Sequence, residues 1–374
     1  MECKDLSRSE LSEFIDFDNH ERVVHVTDEK TGLNAFIGVH NHNLGPALGG
    51  CRMVSYKSER DAIQDVLRLS RGMTYKNAMA HLPLGGGKSV IIGNPYTDKT
   101  EDMMKVMGRA VESLGGLYIT AEDSGTGEKD MMAIASETSY AVGIPGGKGD
   151  LGGDPSPMTA YGVFCGLKAA VQKRYGSEKM SGLKVAIQGL GAVGYGLCHL
   201  LHEQGVILIA TDIRAEVIEK AKKEFPGITI VPSDDIFAVE ANVLSPCALG
   251  AGLNDSTVPQ LRVDIIAGAA NNQCALPRHH EWLAERGILY TPDYVLNAGG
   301  VISAGYEYFL RSGRNPFSYE LNRKNMIAHV EKIGPTLTKV FNIADAKGIT
   351  PAHAADDMAE SMFLGKNGSR VQSV

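Results

Sequence analysis

Apolar and polar positions alternate in two distinct rhythms along the chain. In the first half, residues 33–39 (LNAFIGV) predict a strand. Residues 59–72 predict a helix: Ile63, Val66, Leu67 and Ser70 recur at helical spacing, and Ser58 with Asp61 offers an N-terminal cap. A strand is expected at 88–92 (KSVII) and a helix at 101–114, with Met103, Met107, Ala110, Val111 and Leu114 on one face. A strand at 117–121 (LYITA) and a helix at 129–139 follow. Residues 143–153 then hold six glycines in eleven positions, which suits a mobile loop or a domain junction.

The second half opens with a helix at 158–175, Pro157 near its start. Strands are expected at 183–188, 206–211, 228–231, 242–244, 263–267 and 288–290, with helices at 191–204 and 215–224. Strands alternating with helices at this spacing imply a parallel, doubly wound sheet. Helices at 298–312, 322–347 and 352–363 close the chain, the long one expected to return it to the first domain. No period of 20–50 residues marks a repeat architecture.

Composition narrows the function. The 374 residues suit two domains and a large core. A formal charge of −7 argues against nucleic acid or an anionic membrane as partner. No apolar run reaches membrane-spanning length, and MECKDLSRSE, without an apolar stretch, leads to no expectation of a signal peptide. Six cysteines are scattered with no C-x-x-C pair, which disfavours a disulfide framework or a zinc site and points to the cytoplasm. Glycine is in excess, 43 residues or about 11% against a usual ~7%. Where those glycines sit carries most of the chemistry.

Gly189-Leu190-Gly191-Ala192-Val193-Gly194 is G-x-G-x-x-G. It follows an expected strand, opens an expected helix, and has Asp212 18 residues beyond Gly194, after the next strand. That context defines a Rossmann dinucleotide site. Gly189 permits the tight turn, Gly191 lets backbone approach a pyrophosphate at the helix N-terminus, and Gly194 lets helix and strand pack. Asp212 suits the ribose hydroxyls and repels a 2′-phosphate, favouring NAD over NADP; Arg214 nearby softens that preference.

Three segments of the first domain stand out: Gly72-Met73-Thr74-Tyr75-Lys76-Asn77 just past a helix, Gly85-Gly86-Gly87-Lys88 just before a strand, and Ala121-Glu122-Asp123-Ser124-Gly125 just after one. If strands 88–92 and 117–121 are antiparallel neighbours, Lys88 and Asp123 share a sheet edge, and two lysines and a carboxylate converge. A nucleotide-triphosphate P-loop is rejected, because Leu82 occupies its first glycine position and a strand, not a helix, follows Lys88. A solvated surface charge is the plain alternative for each lysine, but three glycines beside Lys88 favour close approach of a ligand. His40, His42 and His81 lack further ligands at metal spacing, so no metal is expected.

With these motifs in place, the chain resembles the glutamate/leucine/phenylalanine/valine dehydrogenase family from about residue 30 to 365. The matching segments are LGPALGG (44–50), GMTYKN (72–77), GGGK (85–88), AEDSGT (121–126), DPSPMTAYGV (154–163), GLGAVG (189–194), SPCALG (245–250), AGAANNQ (267–273) and PDYVLNAGGV (292–301). The leucine-specific branch is the nearest in pattern. The resemblance implies NAD-dependent, reversible oxidative deamination of an L-amino acid to a 2-oxo acid and ammonia by a homo-oligomer, dimer or octamer. It implies an N-terminal substrate-binding and oligomerisation domain (1–145 plus 350–374) and a Rossmann NAD-binding domain (146–349), separated by a cleft that closes on substrate.

By the same resemblance Lys76 binds the substrate carboxylate, Lys88 is the base that activates water, and Asp123 handles the amine proton. Leu48, Gly49, Ala121, Asn272, Val301 and Ala304 are the other substrate contacts. Thr159, Cys247, Ala248 and Asn271 join Gly189, Gly191, Ala192, Val193, Gly194 and Asp212 around the cofactor. A lysine base working near neutral pH must come from ~10.4 to ~7.5, roughly 4 kcal/mol of differential stabilisation. Glycine-lined burial and repulsion from Lys76 push in that direction, and Asp123 opposes them.

Leu48 stands where glutamate-specific relatives carry a lysine, so an apolar substrate is implied, because an unpaired side-chain carboxylate is costly there. Leucine, valine and isoleucine are favoured over phenylalanine or another aromatic amino acid, with soft discrimination because Ala304 replaces a valine. Asp154 in place of asparagine, the make-up of the 143–153 loop, and a longer 308–324 segment depart from the family pattern. A hydroxy-acid dehydrogenase and a non-catalytic NAD-binding relative are the competing readings; the Lys88 and Asp123 pair argues against both.

Overall fold

The computed structural model describes residues 1–145 and 151–364. The chain divides into two compact units: Met1–Asp154 with Val301–Met326 and Ala359–Val374, and Pro155–Gly300 with Ile327–Met358. These limits differ from the expected 1–145 plus 350–374. Residues 301–326 belong with the first unit: Gly305 lies against Leu82 and Leu84, and buried Glu307 accepts the N–H groups of Gly143 (2.9 Å) and Ile144 (3.1 Å). Residues 146–150 of the glycine-rich stretch lie outside the described residues.

The first unit comprises β1 (Glu2–Asp5), α1 (Arg8–Leu11), β2 (Arg22–Asp28), β3 (Leu33–Asn41), β4 (Ala47–Val54), α2 (Glu59–Met79), β5 (Gly85–Ile92), α3 (Glu101–Glu112), β6 (Tyr118–Glu122) and α4 (Glu128–Ala135). Its six-stranded sheet runs β1-β2-β3-β5-β4-β6. The first three pairings are antiparallel and the last two parallel. Period-two alternation sends Val24, Val26, Ala35 and Ile37 to a core with α3 and α4. Val23, Phe36 and Val90 meet Ala62, Val66 and Leu67 of α2 on the opposite face.

Three expectations are corrected here. Strands β5 and β6 are not antiparallel neighbours, because β4 lies between them, parallel to both. Helix α2 extends to Met79, so the GMTYKN segment is its last two turns rather than a loop beyond it. Gly85–Gly87 lie inside strand β5, not before it.

The second unit begins with α5 (Ser156–Tyr175) and alternates β7 (Lys184–Gln188), α6 (Ala192–Glu203), β8 (Ile207–Thr211), α7 (Ala215–Glu224) and β9 (Thr229–Ile230). Then come β10 (Val243–Pro246), β11 (Ile265–Ile266), α8 (Arg278–Glu285), β12 (Leu289–Tyr290) and α9 (Asp293–Leu296). All strands are parallel, in the order β12-β11-β10-β7-β8-β9. Strand order therefore reverses between β7 and β10, the switch point at which such sheets bind ligands.

Helices α10 (Gly299–Arg311), α11 (Arg323–Val330), α12 (Ile333–Lys347) and α13 (Pro351–Phe363) complete the chain. The single helix expected at 322–347 is broken at Glu331–Lys332. Pro335 explains the break: its ring collides with the carbonyl of residue 331 in a continuous helix, whereas a first-turn position in α12 accommodates it. The chain re-enters the first unit between Met358 and Ala359, inside α13 rather than through the 322–347 segment.

Candidate active site

Glycines let three adjacent strands of the first unit, β5, β4 and β6, bring charge together. Opposite one another in register lie Gly86 and Leu48, then Ser89 and Cys51, so Lys88 falls beside Gly50. Lys88 shares the α2 face with its antiparallel partner Gly38, whose added Cβ would strike Val66 and Ser70 of α2. Across Gly50, the end of β6 delivers Asp123. The Lys88 ammonium nitrogen stands 2.7 Å from Asp123 Oδ2, with side-chain exposures of 8% and 17%. A Cβ on Gly50 would lie 2.7 Å from Asp123 Cβ and 3.1 Å from Lys88 Nζ. The pair exists because position 50 has no side chain.

Gly49 is tighter still: its Cβ would come 1.7 Å from the Gly87 carbonyl oxygen. Beneath the glycines, the fully buried Tyr118 hydroxyl donates to the carbonyls of Gly49 (2.9 Å) and Gly50 (3.2 Å) and pairs with Ser89 Oγ (3.1 Å). Asn77, buried at the end of α2, donates to Leu48 O (3.2 Å) and Gly85 O (2.5 Å). It thereby fixes the helix end that carries half-buried Lys76 onto β4 and β5.

Asp123 is engaged more heavily than the sequence suggested. Its Oδ2 also accepts Arg52 Nε at 3.0 Å. Burial disfavours the charged carboxylate, but Lys88 and Arg52 outweigh it and hold the group at about 2. Arg52 and Tyr118 went unforeseen as site residues, while Gly50 and Asn77 were marked only as members of the LGPALGG and GMTYKN segments. For Arg52 the signal was the GGCR run of strand β4, and two adjacent glycines conceal a strand.

Of the other expected substrate residues, Leu48 is buried within β4, Ala121 is half-buried in β6, and Val301 and Ala304 lie one turn apart on α10. Near Asp154, the carboxyl of Glu122 is raised by burial and by the negative charges of Asp154, Glu128, Asp123 and Glu307. The segment after Glu307 folds over α10: Phe317 stacks on Tyr306 (5.4 Å) and Tyr319 (5.0 Å). His40 hydrogen-bonds Thr74 Oγ1 (2.8 Å) and His42 pairs with Glu21. Among the described residues no three His, Cys, Asp or Glu side chains form a metal-binding group.

In the second unit Gly189, Gly194, Cys247 and Ala248 meet at the switch point. Gly189 is left-handed at φ +95°, and a Cβ there would meet Ala248 Cβ at 2.9 Å. Gly191 caps α6 with φ −68°, and a Cβ there would touch nothing. A Cβ on Gly194 would fall 2.0 Å from Gly189 O and 3.2 Å from Cys247 Cβ. Ala192 and Val193 form the first turn of α6 between them. The turn, the open backbone and the close helix packing that a pyrophosphate cradle demands are thus divided among three glycines. The residues present fit a dinucleotide.

Asp212, at the end of β8, accepts the Leu190 N–H at 2.7 Å, while Arg214 binds it through Nε (2.9 Å) and Nη2 (3.1 Å). Asp212 is held at about 2, first by the hydrogen bond from Arg214. The loop after β10 packs on the loop after β11: Ala251 N–H donates to Asn272 O (2.7 Å), and Asn271 Oδ1 accepts from Asn297 (2.8 Å). Asn272 is left-handed at φ +50°. Thr159 sits on α5 beside Gly300, where an added Cβ would lie 2.5 Å from its Oγ1.

A doubly wound dinucleotide-binding unit joined to a separate α/β unit with a glycine-walled lysine–carboxylate pair defines an oxidoreductase of two-domain dehydrogenase type. Residues 20–140 match the Glu/Leu/Phe/Val dehydrogenase dimerisation domain, and residues 152–359 match the Glutamate/Leucine/Phenylalanine/Valine dehydrogenase model. The chain is 48% identical to leucine dehydrogenase of Geobacillus stearothermophilus, over 94% of this chain and 92% of that one. It is 46% identical to leucine dehydrogenase of Bacillus cereus, over 96% and 95%. The crystal structure of L-tryptophan dehydrogenase from Nostoc punctiforme superposes with TM-score 0.77 at 42% identity, covering 92% of this chain and 95% of that one. The chain belongs to the Glu/Leu/Phe/Val dehydrogenase family. It is an amino-acid dehydrogenase, and its reaction is oxidative deamination. No helix among the described residues is long and apolar enough to cross a membrane.

Proposed function

We propose that the chain oxidises an apolar L-amino acid, with leucine, valine and isoleucine preferred, to its 2-oxo acid and ammonia with NAD. The observation that carries this is the Lys88 Nζ to Asp123 Oδ2 contact of 2.7 Å across Gly50. When bound at the second unit, the dinucleotide supplies the acceptor for the α-hydrogen. Lys76 holds the α-carboxylate. Asp123 receives the substrate amine, takes its proton and passes it to solvent, so that it returns to the carboxylate and leaves the nitrogen lone pair able to form the imine. Lys88, in its uncharged form, takes a proton from the water that adds to the imino carbon. The Lys88 ammonium so formed protonates the carbinolamine nitrogen, and as the hydroxyl proton returns to Lys88 the carbonyl forms, the C–N bond breaks and ammonia leaves. Buried Leu48, with Gly49, Ala121, Val301 and Ala304, receives the side chain, and a side-chain carboxylate finds no cation at Leu48.

Asn272 and Thr159 orient the reacting groups, and Cys247, Ala248 and Asn271 flank the cofactor. Asp212 selects NAD, with Arg214 moderating the exclusion of a 2′-phosphate. The enzyme works as a cytoplasmic homo-oligomer, dimer or octamer. An aromatic substrate is the second reading, supported by the single methyl of Ala304 and by the resemblance to L-tryptophan dehydrogenase.

A steady-state panel of leucine, valine, phenylalanine, tryptophan and glutamate, each with NAD and NADP, tests the reading. The best kcat/KM is expected for a branched aliphatic with NAD; preference for glutamate would overturn the role of Leu48. Lys88→Ala is expected to lose turnover while retaining dinucleotide binding.

A further inference from the structure

Asp123 is held between two cations, and the second of them leads away from the site. Arg52 projects from β4, with a side chain 19% exposed. Its Nε donates to Asp123 Oδ2 at 3.0 Å, the same oxygen that Lys88 Nζ meets at 2.7 Å. Its Nη1 donates to Asp65 Oδ2 on α2, also at 3.0 Å. Asp65 is itself fixed by the Tyr56 hydroxyl (2.8 Å) and by Arg68 (2.7 Å). The guanidinium therefore bridges two carboxylates on different elements and ties the end of β6 to α2. A planar fork of donors serves that geometry, and a lysine's single nitrogen does not.

The charges give the bridge a second use. In the proposed reaction Lys88 must pass through an uncharged state to accept a proton from water. At that moment its attraction for Asp123 vanishes, and an unpaired carboxylate in a largely buried position is unfavourable. Arginine does not lose its proton in proteins, so Arg52 still compensates Asp123 when Lys88 cannot. Thr126 reinforces the arrangement: its hydroxyl accepts the Asp123 N–H (3.0 Å) and donates to Cys51 O (2.7 Å), the residue preceding Arg52.

We infer that Arg52 is a positioning residue, which acts on the reaction through Asp123 by holding its carboxylate charged and oriented while Lys88 cycles between protonation states. The inference rests on the proposed roles of Lys88 and Asp123.

A double-mutant cycle tests it, with Arg52→Gln, Asp123→Asn and the pair, measured as kcat and KM for leucine with NAD. Arg52→Gln is expected to lower kcat on the order of tenfold to a hundredfold, the range for a displaced reacting group. KM for the amino acid should move by less than about threefold. Arg52→Lys should recover part of the lost turnover, because the charge returns without the fork. In the Asp123→Asn background, Arg52→Gln should cost less than about twofold more. NADH binding, followed by fluorescence titration, should be unchanged in every variant. If Arg52→Gln fails to fold, Asp65→Asn loosens the guanidinium without removing it, and a smaller loss of kcat is expected. Losses that multiply in the double variant, or full turnover in Arg52→Gln or in a folded Asp65→Asn, overturn the inference and leave Asp123 in its role. Full turnover in Asp123→Asn alone removes that role and this inference with it.

Discussion

Replacing Gly50 by alanine is the sharpest perturbation the site allows, because one methyl group is aimed between the two reacting side chains. The added Cβ would lie 2.7 Å from Asp123 Cβ, 2.8 Å from the Glu122 carbonyl oxygen and 3.1 Å from Lys88 Nζ. Relaxed carbon contacts sit at about 3.5–4.0 Å, so the Asp123 contact falls short by roughly 1 Å. The lysine end can swing aside. The Glu122 carbonyl is backbone and cannot, so the end of β6 must retreat and take Asp123 with it. Overpacking of this kind costs about 1–3 kcal/mol of stability. A catalytic group displaced by about 1 Å loses roughly a hundredfold in turnover, equivalent to ~2.7 kcal/mol of barrier.

The assay is kcat for NADH formation with leucine, alongside thermal unfolding. Gly72→Ala is the control: it lies within α2, a Cβ there meets nothing within 4 Å, and a helix-interior alanine is more favourable by about 0.5–1 kcal/mol. Gly50→Ala should lose turnover out of proportion to its stability, whereas Gly72→Ala should keep turnover and melt slightly higher. Gly50→Ala with turnover within about twofold of the parent would refute the reasoning, because the Lys88–Asp123 spacing would then not govern the rate.

Gly191→Ala should fold as well as the parent, since its φ of −68° suits alanine and its Cβ meets nothing, yet weaken NADH binding by about tenfold or more by blocking the backbone approach; an unchanged Kd by fluorescence titration would remove Gly191 from the cradle. His20 gives a pH prediction for stability. Its Nε2–H donates to Leu67 O (2.9 Å) and its Nδ1 accepts the Asp18 N–H (3.2 Å), so the neutral ring is fully satisfied. Burial, reinforced by His40, holds it at about 3, against roughly 6.5 when unfolded. The unfolded chain therefore binds the extra proton between those values, and stability falls with falling pH by up to ~1.4 kcal/mol per pH unit. His20→Gln should remove about 2 kcal/mol of the decline between about pH 6.5 and 4.5 in urea unfolding, and an identical decline in both proteins would exclude His20 as its source.

What the sequence disclosed and what it concealed follow from the same residue type. In the second unit the first two glycines of the fingerprint sit at one joint, Gly189 after β7 and Gly191 as the cap of α6. They leave β7 and α6 recognisable on either side, so strand, turn, helix and Asp212 were legible in order. The 322–347 segment misled because helical periodicity runs through Glu331–Lys332, and only the Pro335 ring, acting one turn back, breaks it. In the first unit the glycines lie inside strands. Gly49 and Gly50 in β4 and Gly85–Gly87 in β5 suppress the strand pattern, so β4 was missed and β5 shortened. With β4 absent, an antiparallel pairing of β5 and β6 was the simplest way to bring Lys88 near Asp123. The two residues do meet, but through a parallel strand thin enough to reach across. Sequence motifs can name reacting groups without giving the topology that joins them, and a supporting group such as Arg52 depends on that topology. It lies two residues beyond Gly50 on the hidden strand, and its partners, Asp65 and Asp123, are 13 and 71 residues away in the chain. Only once β4 is placed between β5 and β6 does its charge have a reason to be there.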